Sequence, residues 1–226
     1  MTTVDRIINK FNRECQSIRR LFYKTQYEES LDQWRNDNSD LDKRYFYDLS
    51  TTSIVFDIGA YRGEWLATIY AMYQSKIYAF EPVPEFYNFL VKKFKQNKNI
   101  ITLPFGLVGK ESQDSLFVSE DSSSMVKKKG EKIAVHTKNI CNFIRENNIR
   151  NIDLMKINAE GVEYDVIETL VDNNLIEIVA NLQVQFHDFV PHAQEKYQKV
   201  TELLAKTHTR TYCYPFIWEN WQSKSL

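Results

Sequence analysis

No apolar run in this chain approaches the roughly 18 residues that a membrane-spanning helix needs, and the opening M-T-T-V-D-R lacks the long apolar core of a signal peptide. Neither membrane spanning nor export is expected. Cysteine is scarce: Cys15, Cys141 and Cys213 are odd in number, far apart and without C-x-x-C spacing. They read as reduced, packed thiols of a cytoplasmic protein. Charge of one sign is also missing. The net charge of -1 offers no general attraction to nucleic acid or an acidic membrane, so neither is expected as a partner. No internal repeat is visible, and the only compositionally biased tract runs from Ser119 to Lys132. What remains is an ordinary globular composition, 43% apolar and 26% charged over 226 residues. That length predicts one α/β domain with an appended segment.

The most informative stretch is Ser53 to Glu64, S-I-V-F-D-I-G-A-Y-R-G-E. A β-branched and aromatic run suits a buried strand, Gly59 and Gly63 supply a tight turn, and a helix can begin at Glu64. Such a turn brings exposed backbone close to a nucleotide-like ligand at the carboxyl end of a parallel sheet. The dinucleotide pattern G-x-G-x-x-G fails here, because Asp57 takes the place of the first glycine and three residues separate Gly59 from Gly63. A Walker loop fails too, since the turn ends Gly63-Glu64-Trp65. Asp57 and Glu64 bracket the turn, and two like charges about 4 Å apart at a surface-like dielectric repel by roughly 4 kcal/mol. That disfavours a pyrophosphate and favours a cofactor bearing an ammonium and a sulfonium, as S-adenosylmethionine does.

Upstream, Val4, Ile8, Phe11, Cys15, Ile18 and Phe22 recur at spacings of 4, 3, 4, 3 and 4, an amphipathic helix of about six turns. Its stripe suits packing on the domain or a homodimer contact. Glu28 to Asp48 reads as a helix and connector that roofs the site. Downstream, a helix is expected over Trp65–Tyr73 and a strand over Lys76–Phe80. Glu81, 18 residues beyond Gly63, then stands where doubly wound folds place an acid on a ribose diol. Pro84 to Gln96 reads as a helix burying Phe86, Phe89, Leu90 and Phe94. Ile100 to Val108 reads as a third strand, whose end reaches the adenine through Phe105, Gly106 and Leu107. Gly109 to Gly130 is a solvated loop or a lid. Lys132 to His136 is a short strand, with Thr137 as a helix cap.

Ile152 to Glu163, I-D-L-M-K-I-N-A-E-G-V-E, is the second informative stretch. It places Lys156, Asn158, Glu160 and Glu163 at a strand's carboxyl end, with Lys156 and Asn158 on one side. A helix follows over Val162–Val171. Ile176 to Phe186 is expected to be a fifth strand ending at His187, a position suited to taking a proton. H-D-x-x-x-H from His187 to His192 is too unspecific to argue for a metal, and none is expected. Tyr197–Lys206 is a helix, Thr209–Phe216 holds closing strands, and Trp218 and Trp221 finish the core.

Together V-F-D-I-G-A-Y-R-G-E-W, Y-A-F-E-P-V-P-E, I-D-L-M-K-I-N-A-E-G-V-E and Q-V-Q-F-H-D resemble the FkbM family of S-adenosylmethionine-dependent methyltransferases, over about residues 50 to 190. The resemblance implies a class I, Rossmann-like α/β fold with a seven-stranded, mostly parallel sheet and helices on both faces. Residues 1–50 would be a helical extension and 51–226 the methyltransferase domain. It also implies O-methylation, commonly of sugar hydroxyls in glycans, glycolipids or glycosylated natural products. On that pattern Asp57, Gly59 and the adjoining Ala60, Tyr61 and Gly63 hold the methionine end, Glu81 with Pro82 the ribose, and Gly106 and Leu107 the adenine surroundings. Asn158 joins the cofactor set, although the family's K-I-D-x-E-G is here K-I-N-A-E-G. His187, or else Glu160, is the expected base, with Lys156 and Glu163 fixing the substrate or the base. Two rival readings are a methyltransferase acting on RNA or a non-sugar metabolite, and a non-catalytic S-adenosylmethionine-fold binding protein.

Overall fold

The computed structural model describes residues 25–110, 115–119, 122–124 and 131–225. The stripe from Val4 to Phe22, the homodimer contact expected of it, and the run Lys127 to Lys129 lie outside the described residues. Helix α1 (Gln26–Asn36) starts at a capping box, in which Thr25 accepts from the Glu28 amide and the Glu28 carboxylate accepts from the Thr25 amide. The short α2 (Ser39–Asp42) leads to β1 (Ile54–Ile58), α3 (Glu64–Tyr73), β2 (Lys76–Phe80), α4 (Pro84–Phe94) and β3 (Ile100–Leu103). Five short strands follow: β4 (Gly106–Val108), β5 (Ser115–Ser119), β6 (Ser122–Ser124), β7 (Glu131–Ala134) and β8 (Thr137–Asn139). The remainder is α5 (Ile140–Glu146), β9 (Leu154–Ile157), α6 (Glu163–Asp172), a 3₁₀ turn (Ile176–Ile178), β10 (Asn181–Val184), α7 (Ala193–Thr207), β11 (His208–Tyr214) and β12 (Trp218–Ser223).

Seven strands form one sheet in the order β11-β12-β10-β9-β1-β2-β3. From β3 to β10 neighbours run parallel, and β12 is antiparallel to both β10 and β11. The chain winds outward from β1 to β3 and then returns to β9, so the order reverses between β1 and β9. A ligand crevice opens at the carboxyl ends of strands at such a point. One face buries Phe56, Phe80, Met155 and Leu182 under α5, α6 and α7. The other buries Val55, Ile77 and Leu154 under Trp65, Leu66 and Ile69 of α3 and Leu90 of α4. Strand alternation sends neighbouring residues to opposite faces. At the sheet's far edge Trp34 of α1 packs with Tyr214, Ile217 and Trp218, and Trp221 is buried in the first core.

Several expected elements are redrawn. The strand expected over Ile100–Val108 breaks in two: Pro104 has no N–H to donate, β3 ends at Leu103, and β4 pairs with β8 outside the main sheet. Thr137 therefore lies in a strand, and Asn139 caps α5 by accepting from the Asn142 amide. Part of the polar excursion after Gly109 is strand, because β5 pairs with β6 and β7 in a small antiparallel sheet. The fifth strand is shorter than expected. Asn174 takes a left-handed turn (φ 55) off α6, and Ile176–Ile178 coils before β10 begins at Asn181. Phe89 is exposed, whereas Phe86, Leu90 and Phe94 are buried at the i, i+4, i+8 spacing of one helix face.

Candidate functional site

The turn after β1 is held by its backbone. The Gly59 and Ala60 amides both donate to the Phe80 carbonyl, each at 3.1 Å, and the Asn158 amide donates to the Ile58 carbonyl at 3.0 Å. Gly59 has φ +80, and a Cβ there would lie 2.0 Å from the Asn158 carbonyl oxygen. Only glycine fits this approach of the β1 turn to the β9 turn. Gly59→Ala is accordingly expected to destabilise the fold by about 1–3 kcal/mol through backbone strain, plus the displacement of the β9 turn. A melting temperature equal to wild type would contradict this placement. Gly63 answers to packing, since a Cβ there would meet Leu90 Cδ2 and Phe94 Cε2 at 2.7 Å each. Its amide donates to the Ala60 carbonyl.

Asp57 is fully buried, whereas Glu64 is exposed at the start of α3. Asp57 is also paired: its Oδ1 accepts from Lys156 Nζ at 2.9 Å. Lys156 Nζ also donates to the Gly59 carbonyl at 2.8 Å. The Lys156 side chain is thus a buried brace between Asp57 and the turn after β1. Burial of an ion pair is tolerated when further hydrogen bonds satisfy the charges. Asp57 Oδ2, by contrast, is buried with no hydrogen-bond partner, an acceptor waiting for a donor. Across the sheet the pair continues in register as a polar row: Asp57 opposite Lys156, Lys156 opposite Gln183, Gln183 opposite Asn220, and Asn220 opposite Tyr212. Gln183 Nε2 donates to the Tyr47 hydroxyl at 2.7 Å, so the segment before β1 seals this row.

Glu81 is buried at the end of β2, where its carboxylate accepts from the Tyr61 amide at 2.7 Å and the Val83 amide at 2.9 Å. Burial raises its pKa to about 7, against those two amides, which pull it down. Tyr61 adopts φ 49 to present its amide. Gly106 adjoins this group: a Cβ there would lie 3.5 Å from Pro82 Cγ. Leu107 is buried beside it on β4. Asp57, Gly59, Ala60, Tyr61, Glu81, Pro82 and Asn158 therefore cluster at the carboxyl ends of β1, β2 and β9, with Gly106 of β4 against Pro82 and Leu107 next along that strand. These residues fit S-adenosylmethionine. Asp57 Oδ2 suits an ammonium and the Glu81 carboxylate suits a ribose diol.

His187 lies three residues past the end of β10, in the neighbouring turn. Its Nδ1 is 2.9 Å from Glu163 Oε1. Glu163 is fully buried at the first position of α6 and accepts from the Ala159 amide at 3.0 Å and the Gly161 amide at 3.0 Å. A carboxylate held by that nest of amides orients the ring, so that Nδ1 donates and Nε2 is the basic nitrogen. The Tyr164 hydroxyl donates to the His187 carbonyl at 3.0 Å and fixes its backbone. Glu160 Oε1 stands 4.0 Å from Nε2, on a residue at φ 53. A bulky residue held there costs about 1–3 kcal/mol, a strain found chiefly at functional sites. Beyond Nε2 lies a cavity of about 330 Å³ bordered by Glu160, Gln185, Phe189, Tyr27 and Phe216. Tyr27 and Phe216 carry no signal in the sequence for this place, since both lie outside the quoted motifs and reach it through chain reversals. Among the described residues no group of three or more His, Cys, Asp or Glu is arranged to hold a metal ion, and no helix is long and apolar enough to cross a membrane.

Comparison with solved structures finds the same architecture in methyltransferases. An FkbM methyltransferase from Methylobacillus flagellatus KT aligns over 78% of this chain with 12% identity and a TM-score of 0.49. This chain spans only 45% of that protein's length. A Clostridium thermocellum protein proposed to be an rRNA methylase aligns over 83% of this chain and 94% of its own, with 11% identity and a TM-score of 0.52. The Methanococcus jannaschii fibrillarin pre-rRNA processing protein gives 14% identity and a TM-score of 0.46, over 79% of this chain and 70% of its own. No curated protein matches the chain at a significant level. The Methyltransferase FkbM domain matches residues 57–213, from Asp57 near the end of β1 into β11. A class I, Rossmann-like sheet of seven strands and a domain match over most of its length show that this chain belongs to the FkbM methyltransferase family.

Proposed function

We propose that this protein transfers a methyl group from S-adenosylmethionine to a hydroxyl, on a sugar of a glycan, glycolipid or glycosylated metabolite. The observation that carries the reading is the Glu163–His187 dyad, whose imidazole lines an aromatic cavity together with Glu160, two residues beyond Asn158. When bound, the cofactor supplies an electrophilic methyl group whose C–S bond breaks with its electron pair going to sulfur. The acceptor oxygen forms the new C–O bond, and His187 Nε2 takes the hydroxyl proton. Glu163 holds the ring and balances the imidazolium that results, while Glu160 adds a second negative group near Nε2. Holding the two reacting atoms in line can supply roughly 7–11 kcal/mol. Lys156 serves by bracing Asp57 and the Gly59 carbonyl. Residues 1–50 act as the extension and 51–226 as the methyltransferase domain. Tyr27 of the extension reaches the acceptor cavity.

Against a nucleic-acid acceptor, the described residues around the cavity include no lysine or arginine. Backbone phosphates are held chiefly by such side chains. The test is incubation of the purified protein with methyl-labelled cofactor and a panel of neutral glycosides, with a structured RNA alongside. Label in a glycoside, absent with His187→Ala, is the expected outcome. Label in the RNA alone would overturn the reading.

Glu81 gives a second, pH-resolved expectation. Ribose hydroxyls donate to a carboxylate, so the cofactor binds the ionised form of a group whose pKa is about 7. Affinity for S-adenosylmethionine is expected to rise between pH 6 and 8, by up to about tenfold per pH unit below the pKa. In the free protein a raised pKa means that the native state holds the proton more tightly than the unfolded chain. Its contribution to stability is therefore present in full below about pH 4.5 and lost as pH rises through about 7. Glu81→Gln is expected to flatten both profiles, as read by calorimetric titration and by melting temperature against pH.

A further inference from the structure

A second cavity of about 440 Å³ lies beside the one facing His187, and the two share Tyr27, Asp188 and Phe216 as their common wall. Both volumes fall in the range of small-ligand pockets. The second opens toward the start of α7, where His192, Gln194 and Glu195 border it. Phe216, in the turn between β11 and β12, is buried yet held at φ 63. For a bulky residue that backbone conformation is a genuine outlier. Its ring packs against Tyr197 with centroids 5.2 Å apart and borders both cavities. Tyr27 faces it from α1 with 39% of its surface exposed. Around both cavities the charged groups are the carboxylates of Glu160, Asp188 and Glu195 and the histidines His187 and His192, with no lysine or arginine among the described residues.

The geometry points to a two-unit acceptor site: one sugar ring is methylated beside His187, and the next ring of the same glycoside occupies the cavity at the start of α7. This deepens the glycoside reading above and rests on it. Tyr27 and Phe216 would flank the linkage between the rings, since flat aromatic faces suit the apolar faces of pyranose rings. The second ring carries no phosphate, sulfate or carboxylate. An anionic group there would meet like-charge repulsion from the exposed carboxylates of Asp188 and Glu195.

The test compares methyl transfer to aryl monoglycosides, the matched aryl disaccharides and disaccharides sulfated on the second ring. It uses the wild type and Gln194→Trp, a substitution at an exposed position that fills the second cavity. We expect kcat/KM for the neutral disaccharide to exceed that of the monoglycoside by about tenfold, carried by KM. Sulfation should abolish the gain, and Gln194→Trp should bring the ratio near one. Equal kcat/KM for mono- and disaccharides in the wild type would overturn the second subsite and leave sugar methylation standing. A preference for the sulfated acceptor would overturn the charge argument and the proposed occupant with it. Label transferred to none of the glycosides would overturn the glycoside reading and the subsite together.

Discussion

Lys156→Met is expected to destabilise the protein by about 3–5 kcal/mol, a loss of roughly 10 °C or more in melting temperature for a chain of this size. The cause lies in Asp57. Its carboxylate is fully buried, its Oδ1 accepts from Lys156 Nζ at 2.9 Å, and its Oδ2 has no hydrogen-bond partner. Removing the ammonium leaves an uncompensated charge in the interior and frees the Gly59 carbonyl as well. Asp57→Asn combined with Lys156→Met removes both charges and is expected to recover more than half of the loss. Thermal melts of the two single variants and the double variant form the cycle that measures the coupling. Losses that simply add would show that the pair does not brace the turn. On the proposed placement of the cofactor at Gly59 and Asp57, Lys156→Met is also expected to weaken S-adenosylmethionine binding, although Lys156 does not line the proposed acceptor cavity.

His187→Ala is expected to lower kcat by about 10²- to 10⁴-fold, with the dissociation constant for S-adenosylmethionine unchanged. The imidazole sits 2.9 Å from Glu163 and faces the acceptor cavity, whereas the turns suited to the cofactor are built from other residues. Glu163→Gln is expected to lose much of the same factor. A carboxamide can present its NH₂ to Nδ1 and so select the wrong imidazole tautomer. Single-turnover rates at saturating cofactor separate this loss from any change in binding. Retention of kcat in His187→Ala would pass the role of base to Glu160, whose carboxylate is 4.0 Å from Nε2.

The sheet was legible in the sequence because its strands are short apolar runs ending at marked residues: Asp57 with Gly59, Glu81 with Pro82, Lys156 with Asn158. Each of those ends falls at the crevice where the strand order reverses. Charge pairing was not legible. Asp57 and Lys156 are 99 residues apart, and nothing in either motif says that one neutralises the other; only the parallel register of β1 and β9 brings them side by side. Asp57 is therefore not an unpaired acid at the first turn, and what remains for a ligand is one oxygen of a paired carboxylate. Pro104 could have announced the break in the third strand, because a proline within a run removes a ladder hydrogen bond. The acceptor cavity had no comparable signal. Tyr27 and Phe216 come from opposite ends of the described chain, and a left-handed phenylalanine is a conformation that tertiary packing imposes against local preference.

Calorimetric titration of the wild type and of Asp57→Ala with S-adenosylmethionine, its demethylated product and NAD asks whether the turns after β1 and β2 form a cofactor site anchored on Asp57. One site per chain is expected for the cofactor and its product and none for NAD, with at least a tenfold loss of affinity in a folded Asp57→Ala. Binding of NAD alone, or equal affinity for S-adenosylmethionine in both proteins, would rule such a site out.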